Sequence, residues 1–390
     1  MRILLVTTSY PLDSESVSGI FVARLAKQLQ GKHAVKVLVP GDRNRRTRAC
    51  SRDGVSILPY RYAPRSWQCL AHSPGGIPVA LKRNPWLYLL VPGFLTAMFF
   101  GSLKGGRRAD VIHANWAICG LVAGMAGKLL GVPVVVSLRG EDVTRGLRKP
   151  VDRWILKRCL GVCSRVVGVS DAIVRQLREE FPAQMEKYRL VENGVEDRFL
   201  AVQRKWSNDG ELRLIAVGSL IPRKGVDVLV NALASVPGAR LTLVGDGPER
   251  EHLEQLVRRL DLGDRVRFEG WLEPDAILEQ LMLHDVLVLA SHAEGRPNVV
   301  LEAMASAMPV VASNIDGVDE LVEHERTGLL FTPGESGELA GLLGRLATNR
   351  DMLPAMGKAG RERIVAMGLV WEQTAARYEE VYAEARRGSN

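Results

Sequence analysis

The sequence predicts two doubly wound α/β domains in tandem, each a parallel sheet with helices on both faces. Three observations carry the prediction. Short β-branched runs alternate with helical stretches, the pattern of βαβ units and parallel sheets. The alternation stops and restarts near the middle of 390 residues, a length that suits two domains of roughly 100–200 residues each. Between the halves lies a polar stretch, 192–211, rich in Asn, Asp, Gly and Lys, which is the expected join.

In the first half the strand runs are 2–8, 34–39, 110–113, 133–138 and 165–169, with helical stretches such as 19–30 and 118–130 between them. The opening apolar run is too short for the core of a signal peptide and reads as a first buried strand. Residues 40–84 are basic, carry scattered Pro and Gly, and read as long loops. The second half restarts at L-R-L-I-A-V-G-S, 212–219, followed by a helix through K-G-V-D-V-L-V-N-A-L-A. Strands at 241–245, 265–268, 285–291 and 309–313 follow, again with helices between them. The expected bounds are 1–200 and 201–365, with a last helical segment, 366–390, packing back on the N-terminal domain.

Composition narrows the class. Apolar residues make up 46% and charged residues 25%, a globular mix that excludes disorder, collagen or coiled coil as a whole-chain answer. The five cysteines are scattered and lack zinc-ligand spacing, which fits a reducing cytoplasm. Cys159 and Cys163 share one helical face and read as structural. Residues 1–200 hold 31 Lys/Arg against 15 Asp/Glu, a net +16, while the remaining residues carry −8. The first domain is therefore expected to face something anionic. The segment 85–104 is the most apolar in the chain and grazes the length of about 17–25 residues that spans a bilayer. Pro92-Gly93 interrupts it. It reads first as a buried or surface helix of the domain, next as an interfacial membrane helix and last as a spanning one.

Ligands of doubly wound domains bind beyond the carboxyl ends of the strands, and several familiar motifs are absent there. T-T-S-Y-P, not G-x-G-x-x-G, follows the first strand, and no G-x-x-x-x-G-K-[ST] occurs. The chain has no D-x-D, so no carboxylate pair presents itself for Mg²⁺ on a diphosphate. The richest segment is 291–313, S-H-A-E-G-R-P-N-V-V-L-E-A-M-A-S-A-M-P-V-V-A-S. Glu294 follows a buried strand. Pro297 and Asn298 then open a helix whose free N–H groups near Asn298 and Val299 favour a phosphate. Glu302 adds a second carboxylate. One short segment thus offers groups for sugar hydroxyls and for phosphate, as a nucleotide-sugar site requires.

This segment resembles the signature of the large retaining glycosyltransferase family 4, of the GT-B fold. Further matches run in order along nearly the whole chain: S-Y-P with S-G-I-F-V near the start, D-V-I-H-A-N-W (110–116), S-L-R-G-E-D-V (137–143), G-V-S-D-A-I (168–173), E-N-G-V (192–195), V-G-S-L-I-P-R-K-G (217–225), V-G-D-G-P (244–248) and F-E-G-W (268–271). The resemblance implies two Rossmann-like domains facing across a cleft. The C-terminal domain would hold the nucleotide-sugar donor and the N-terminal one the acceptor. It implies that Glu294 binds sugar hydroxyls, that Glu302 binds the ribose and that Lys224, with Arg223, holds the diphosphate. Gly19 would approach the diphosphate, and Leu272 the base. His113, Arg139, Glu141 and Asp142 are the acceptor-side candidates, His113 being equally readable as a hydrogen-bonded structural residue. Asn193 reads as a turn residue at the hinge.

The chain departs from the family pattern at Ser219, where Arg is usual, at Arg296, an added positive charge where an aromatic is often found, and at Ala307-Met308, in place of the usual Gly before Pro309. It also departs at Arg139, where His is frequent. An arginine is no general base, so Arg139 reads as a clamp for an anion or hydroxyl. No cofactor and no metal are expected. The expected function is retaining, metal-independent transfer of a sugar to a glycan or lipid-linked acceptor in bacterial cell-surface polysaccharide synthesis: exopolysaccharide, lipopolysaccharide or a teichuronic-acid-like polymer. The expected place is the cytoplasm, on the inner face of an anionic membrane. The basic segment 43–52, with Arg43, Arg45, Arg46 and Arg48, is the expected membrane contact beside 85–104. Rival readings are a nucleotide-sugar epimerase on the same fold, a phosphorylase, a transferase with a small soluble acceptor, and a nucleic-acid-binding protein; no nucleic-acid module accompanies the basic charge.

Overall fold

The computed structural model describes residues 1–12, 19–44, 50–72, 76–206 and 210–388. The chain forms two compact units, 1–193 with 371–390, and 194–370. The junctions therefore fall at Asn193 and Val370, several residues from the expected 200 and 365.

Unit 1 holds an eight-stranded sheet: β1 (Arg2–Val6), β2 (Ala34–Pro40), β3 (Cys50–Arg52), β4 (Val55–Tyr60), β5 (Val111–Asn115), β6 (Val134–Leu138), β7 (Arg165–Gly168) and β8 (Tyr188–Leu190). Their order is β3-β4-β2-β1-β5-β6-β7-β8. All neighbours are parallel except β3 and β4. The central strands β5 and β6 are buried throughout, as a sheet covered on both faces requires. The region read as loops, 40–84, contributes two of these strands and the helix Gly76–Arg83. Of the expected basic loop, residues 45–49 lie outside the described residues.

The segment 85–104 becomes a 3-10 turn, Pro85–Leu90, and a helix, Val91–Gly106. Phe94, Met98, Ser102 and Gly106 are buried at helical spacing, so one face belongs to the core of the unit. The opposite face of the sheet is covered by the helices Ile20–Gln30 and Trp371–Arg387, whose Val22, Leu25, Tyr378 and Tyr382 join one buried cluster with Ile3 and Leu5 of β1.

Unit 2 holds β9 (Leu212–Val217), β10 (Ala239–Val244), β11 (Val266–Gly270), β12 (Val286–Leu289), β13 (Val310–Ser313) and β14 (Gly328–Phe331). Their order is β11-β10-β9-β12-β13-β14, all parallel. The entering and leaving segments of the unit pair with each other, Val195 N–H donating to Leu369 C=O at 2.9 Å.

The C-terminal helix is tied to unit 1 by a buried polar chain. His113 of β5 bonds Tyr382 Oη through Nδ1 at 2.7 Å and Ser137 Oγ through Nε2 at 2.8 Å, and Ser137 Oγ bonds Tyr378 Oη at 2.7 Å. Burial, with Arg139 nearby, pushes the His113 imidazole down to about 3. It is therefore neutral in the fold, whereas an unfolded histidine takes a proton near pH 6.5. Its contribution to stability is present above that pH and lost as the pH falls toward 3, by about 1.4 kcal/mol per pH unit. Urea unfolding across a pH series checks this: His113→Gln should lower stability at pH 7.5 and remove about one proton's worth of slope below pH 6.5. An unaltered slope would place the acid sensitivity elsewhere.

Candidate active site

In an open α/β sheet the binding crevice lies where the strand order reverses. In unit 2 the chain steps from β9 to β10 and β11 on one side and to β12, β13 and β14 on the other. The switch therefore falls between β9 and β12. A depression there is lined by Gly218, Ser219, Lys224 and Ala290, with Val226 and Leu229 of the helix Val226–Ala234 behind them.

The loop after β9 delivers Lys224 and the loop after β12 delivers Glu294. Lys224 Nζ lies 2.6 Å from Glu294 Oε1, and Ser291 Oγ donates to the same oxygen at 2.7 Å. The two charged side chains are only 19% and 9% exposed, so the attraction is less screened than in a surface pair. His292 N–H donates to the Arg223 carbonyl at 2.8 Å and joins the two loops a second time. Gly225 sits at φ 57°, and a Cβ there would stand 2.2 Å from the Ala290 carbonyl oxygen. The loops are pressed backbone to backbone, and only glycine fits.

Beyond Glu294 the helix Asn298–Ala305 opens behind Pro297. It carries Asn298, Val299 and Glu302, all half-buried. Leu272 is half-buried after β11 and packs on the apolar cluster under that helix. Ser219 and Arg223 are exposed. Arg296, expected as an extra positive charge beside the site, instead has a fully buried side chain paired with Glu320 at 3.0 Å. Its charge is compensated inside the unit. Ser291 was not singled out by the sequence reading; its place three residues before Glu294, directly after a buried strand, is the only signal.

The switch of unit 1 lies between β1 and β5. Gly19, at φ 75°, opens the helix Ile20–Gln30, and a Cβ there would stand 2.1 Å from the Ser9 carbonyl oxygen. The loop after β1 thus lies directly against that helix start. Arg139 follows β6. Its guanidinium stacks 3.5 Å from the Phe21 ring centroid, Nη1 donates to Asn193 Oδ1 at 3.1 Å and Nη2 to Asn115 Oδ1 at 3.4 Å. Burial pushes it down to about 10, which leaves it cationic at neutral pH. Arg139 Nε and Asn115 Nδ2 are buried donors without an acceptor among the described residues.

Asp142 accepts the backbone N–H groups of Ala117 and Arg139, each at 3.1 Å. It pins the loops after β5 and β6 together rather than standing open to a ligand. His113 is not presented to an acceptor either, because it is fully buried and both ring nitrogens are occupied. Its structural reading is the one the geometry favours. Glu141 starts the helix Glu141–Arg148, and its side chain lies outside the described residues, as does Ser18 of S-G-I-F-V. Phe21, Asn115, Tyr378 and Tyr382 are contacts that sequence reasoning missed: the first two lie inside quoted motifs that give them no role of their own, and the tyrosines lie in no motif.

Two doubly wound units in tandem make the architecture of the GT-B class. The pattern of the glycosyl transferases group 1 matches residues 198–363, and that of glycosyltransferase family 4 matches residues 18–199. The GDP-mannose-dependent alpha-(1-6)-phosphatidylinositol monomannoside mannosyltransferase of Mycobacterium tuberculosis is 30% identical, over 96% of either chain. The N-acetyl-alpha-D-glucosaminyl L-malate synthase of Bacillus anthracis is 27% identical, over 71% of this chain and 75% of that one. Among solved structures, sucrose-phosphate synthase from Thermosynechococcus elongatus superposes with a TM-score of 0.83 at 22% identity, covering 98% of this chain and 99% of that one. Anabaena HepE in complex with UDP-glucose superposes with a TM-score of 0.76 at 20% identity, over 98% and 99%. The chain belongs to glycosyltransferase family 4 and has the GT-B fold.

The close approach of the two loops gives a direct test. Gly225→Ala forces a methyl against the Ala290 carbonyl and should cost about 1–3 kcal/mol of unfolding free energy, read by urea denaturation. An unchanged midpoint would show that the loops separate freely.

Proposed function

We propose that the enzyme moves a sugar from a nucleotide-diphosphate donor held on unit 2 to a lipid-linked or polysaccharide acceptor received by unit 1, with retention of anomeric configuration. The observation that carries the reading is the Lys224–Glu294 pair at the switch of the second sheet. Breaking the bond between sugar and diphosphate leaves negative charge on the β-phosphate, and a preorganised cation stabilises that charge as it develops. Lys224 supplies the cation, with Arg223 at the rim and the start of the helix Asn298–Ala305 adding N–H groups. Glu294 takes sugar hydroxyls and Glu302 the ribose, with Leu272 toward the base. Metal-free catalysis follows from this assignment of the charge to Lys224. The solved complex of Anabaena HepE with UDP-glucose supports a nucleotide sugar as donor.

On the acceptor side, Arg139 stays protonated and clamps an acceptor oxygen, while the departing phosphate takes the proton of the attacking hydroxyl. The unmatched donors Arg139 Nε and Asn115 Nδ2 support an oxygen ligand there. The mycobacterial relative is named for a phosphatidylinositol mannoside acceptor, which supports a lipid-linked acceptor. The net +16 of residues 1–200 supports work at the inner face of an anionic membrane, in bacterial cell-surface polysaccharide synthesis.

Product analysis by NMR with UDP- and GDP-sugars tests the chemistry. The anomeric coupling of the donor should be retained, activity should survive EDTA, and Lys224→Ala should lower kcat/KM by roughly 10²–10³ with the fold intact. Inversion, or activity lost to EDTA and restored by Mg²⁺, would overturn the assignment of the diphosphate charge to Lys224.

A further inference from the structure

Residues 54–109 contain seven Lys/Arg and no Asp or Glu. Within this run lie the four most exposed aromatic side chains among the described residues: Trp86 at 79%, Trp67 at 63%, and Tyr88 and Phe100 at 61% each, with Leu89 at 74% beside them. The exposure is built in locally. The helix Gly76–Arg83 ends on Lys82 and Arg83, both exposed. Asn84 then accepts the Trp86 N–H at 3.2 Å and starts the turn Pro85–Leu90, which holds Trp86, Tyr88 and Leu89 in water within four consecutive residues. The helix that follows packs one face on the fold. Phe94 stacks edge-on against Tyr62 with centroids 5.1 Å apart, and Gly101 and Gly105 pack on Leu38 and Leu4. A Cβ at Gly93 would stand 2.8 Å from the Tyr62 carbonyl oxygen, so the chain that leads into Arg65 and Trp67 runs along the helix start.

Trp and Tyr rings beside Lys and Arg, without a neighbouring carboxylate, are the composition of a membrane-interface anchor, where amphipathic rings sit at headgroup level and cations meet anionic lipid. We propose that the turn Pro85–Leu90, preceded directly by Lys82 and Arg83, docks unit 1 on an anionic phospholipid surface. Trp86, Tyr88 and Leu89 enter the boundary between headgroups and acyl chains. The proposal rests on the lipid-acceptor reading and adds to it the contact surface itself.

Flotation of the full chain with vesicles tests it. Binding should be strong to equimolar phosphatidylcholine and phosphatidylglycerol, weak to phosphatidylcholine alone, and reduced by salt through screening. Trp86→Ser with Leu89→Ser, and separately Lys82→Glu with Arg83→Glu, should each lower vesicle partition by roughly tenfold or more. All these side chains are exposed, so thermal unfolding midpoints should stay within a degree or two of the parent, and nucleotide binding to unit 2 should be unchanged. Equal flotation of parent and variants, or parent binding to both vesicle types alike, overturns the docking surface. Transfer is assayed in parallel in detergent with a lipid-linked acceptor. Loss of flotation in the variants while no lipid-linked acceptor is ever used would leave the docking surface standing and overturn the acceptor reading.

Discussion

The Lys224–Glu294 pair is the constraint on which the donor side depends. Two loops leave neighbouring strands of a parallel sheet and each carries one charge to the same point. Neither charge is stable there alone, because partly buried ions require a partner. The pair therefore fixes the loops, and Ser291 and the His292 N–H hold the arrangement from below. In the proposed reaction the same opposition serves the chemistry: a cation shielded from water is worth more to a developing phosphate charge than one in bulk solvent.

Unit 1 is organised differently. Its last strand is short, and the chain leaves at Asn193 to return only at Trp371. The returning helix covers the sheet with Tyr378 and Tyr382, and its hydroxyls enter the hydrogen-bond chain of His113 and Ser137. Arg139 directly follows β6, of which Ser137 is the penultimate residue, and has Asn193 as its partner. The terminal helix, the junction and the Arg139 guanidinium are thus mechanically continuous within this unit.

Much of this was legible in the sequence because β-branched runs such as 133–138 and 285–291 have no helical period and no exposed face. What escaped had a physical reason. Val55–Tyr60 carries Pro59, which removes a ladder donor and argues against a strand, yet the segment pairs near the sheet edge. Gly328–Phe331 is four residues long and begins with glycine. Lys224 and Glu294 carry charges that their motifs make conspicuous, whereas Asn115 and Phe21 are ordinary residue types within theirs, and their contacts with Arg139 span sequence distances that no local pattern records. Arg296 misled for the converse reason, since its partner Glu320 is 24 positions away.

On the proposed reading, Glu294 holds Lys224 in place for the diphosphate and competes with the diphosphate for that cation when no sugar is bound. Calorimetric titration of UDP and GDP into the parent and Glu294→Gln tests this most directly. With the carboxylate neutralised, Lys224 is released and a nearby negative charge is gone, so the nucleoside diphosphate that fits the site should bind roughly tenfold more tightly, about 1.4 kcal/mol, while sugar transfer is lost. Weaker binding of the nucleoside diphosphate to Glu294→Gln than to the parent would contradict the account.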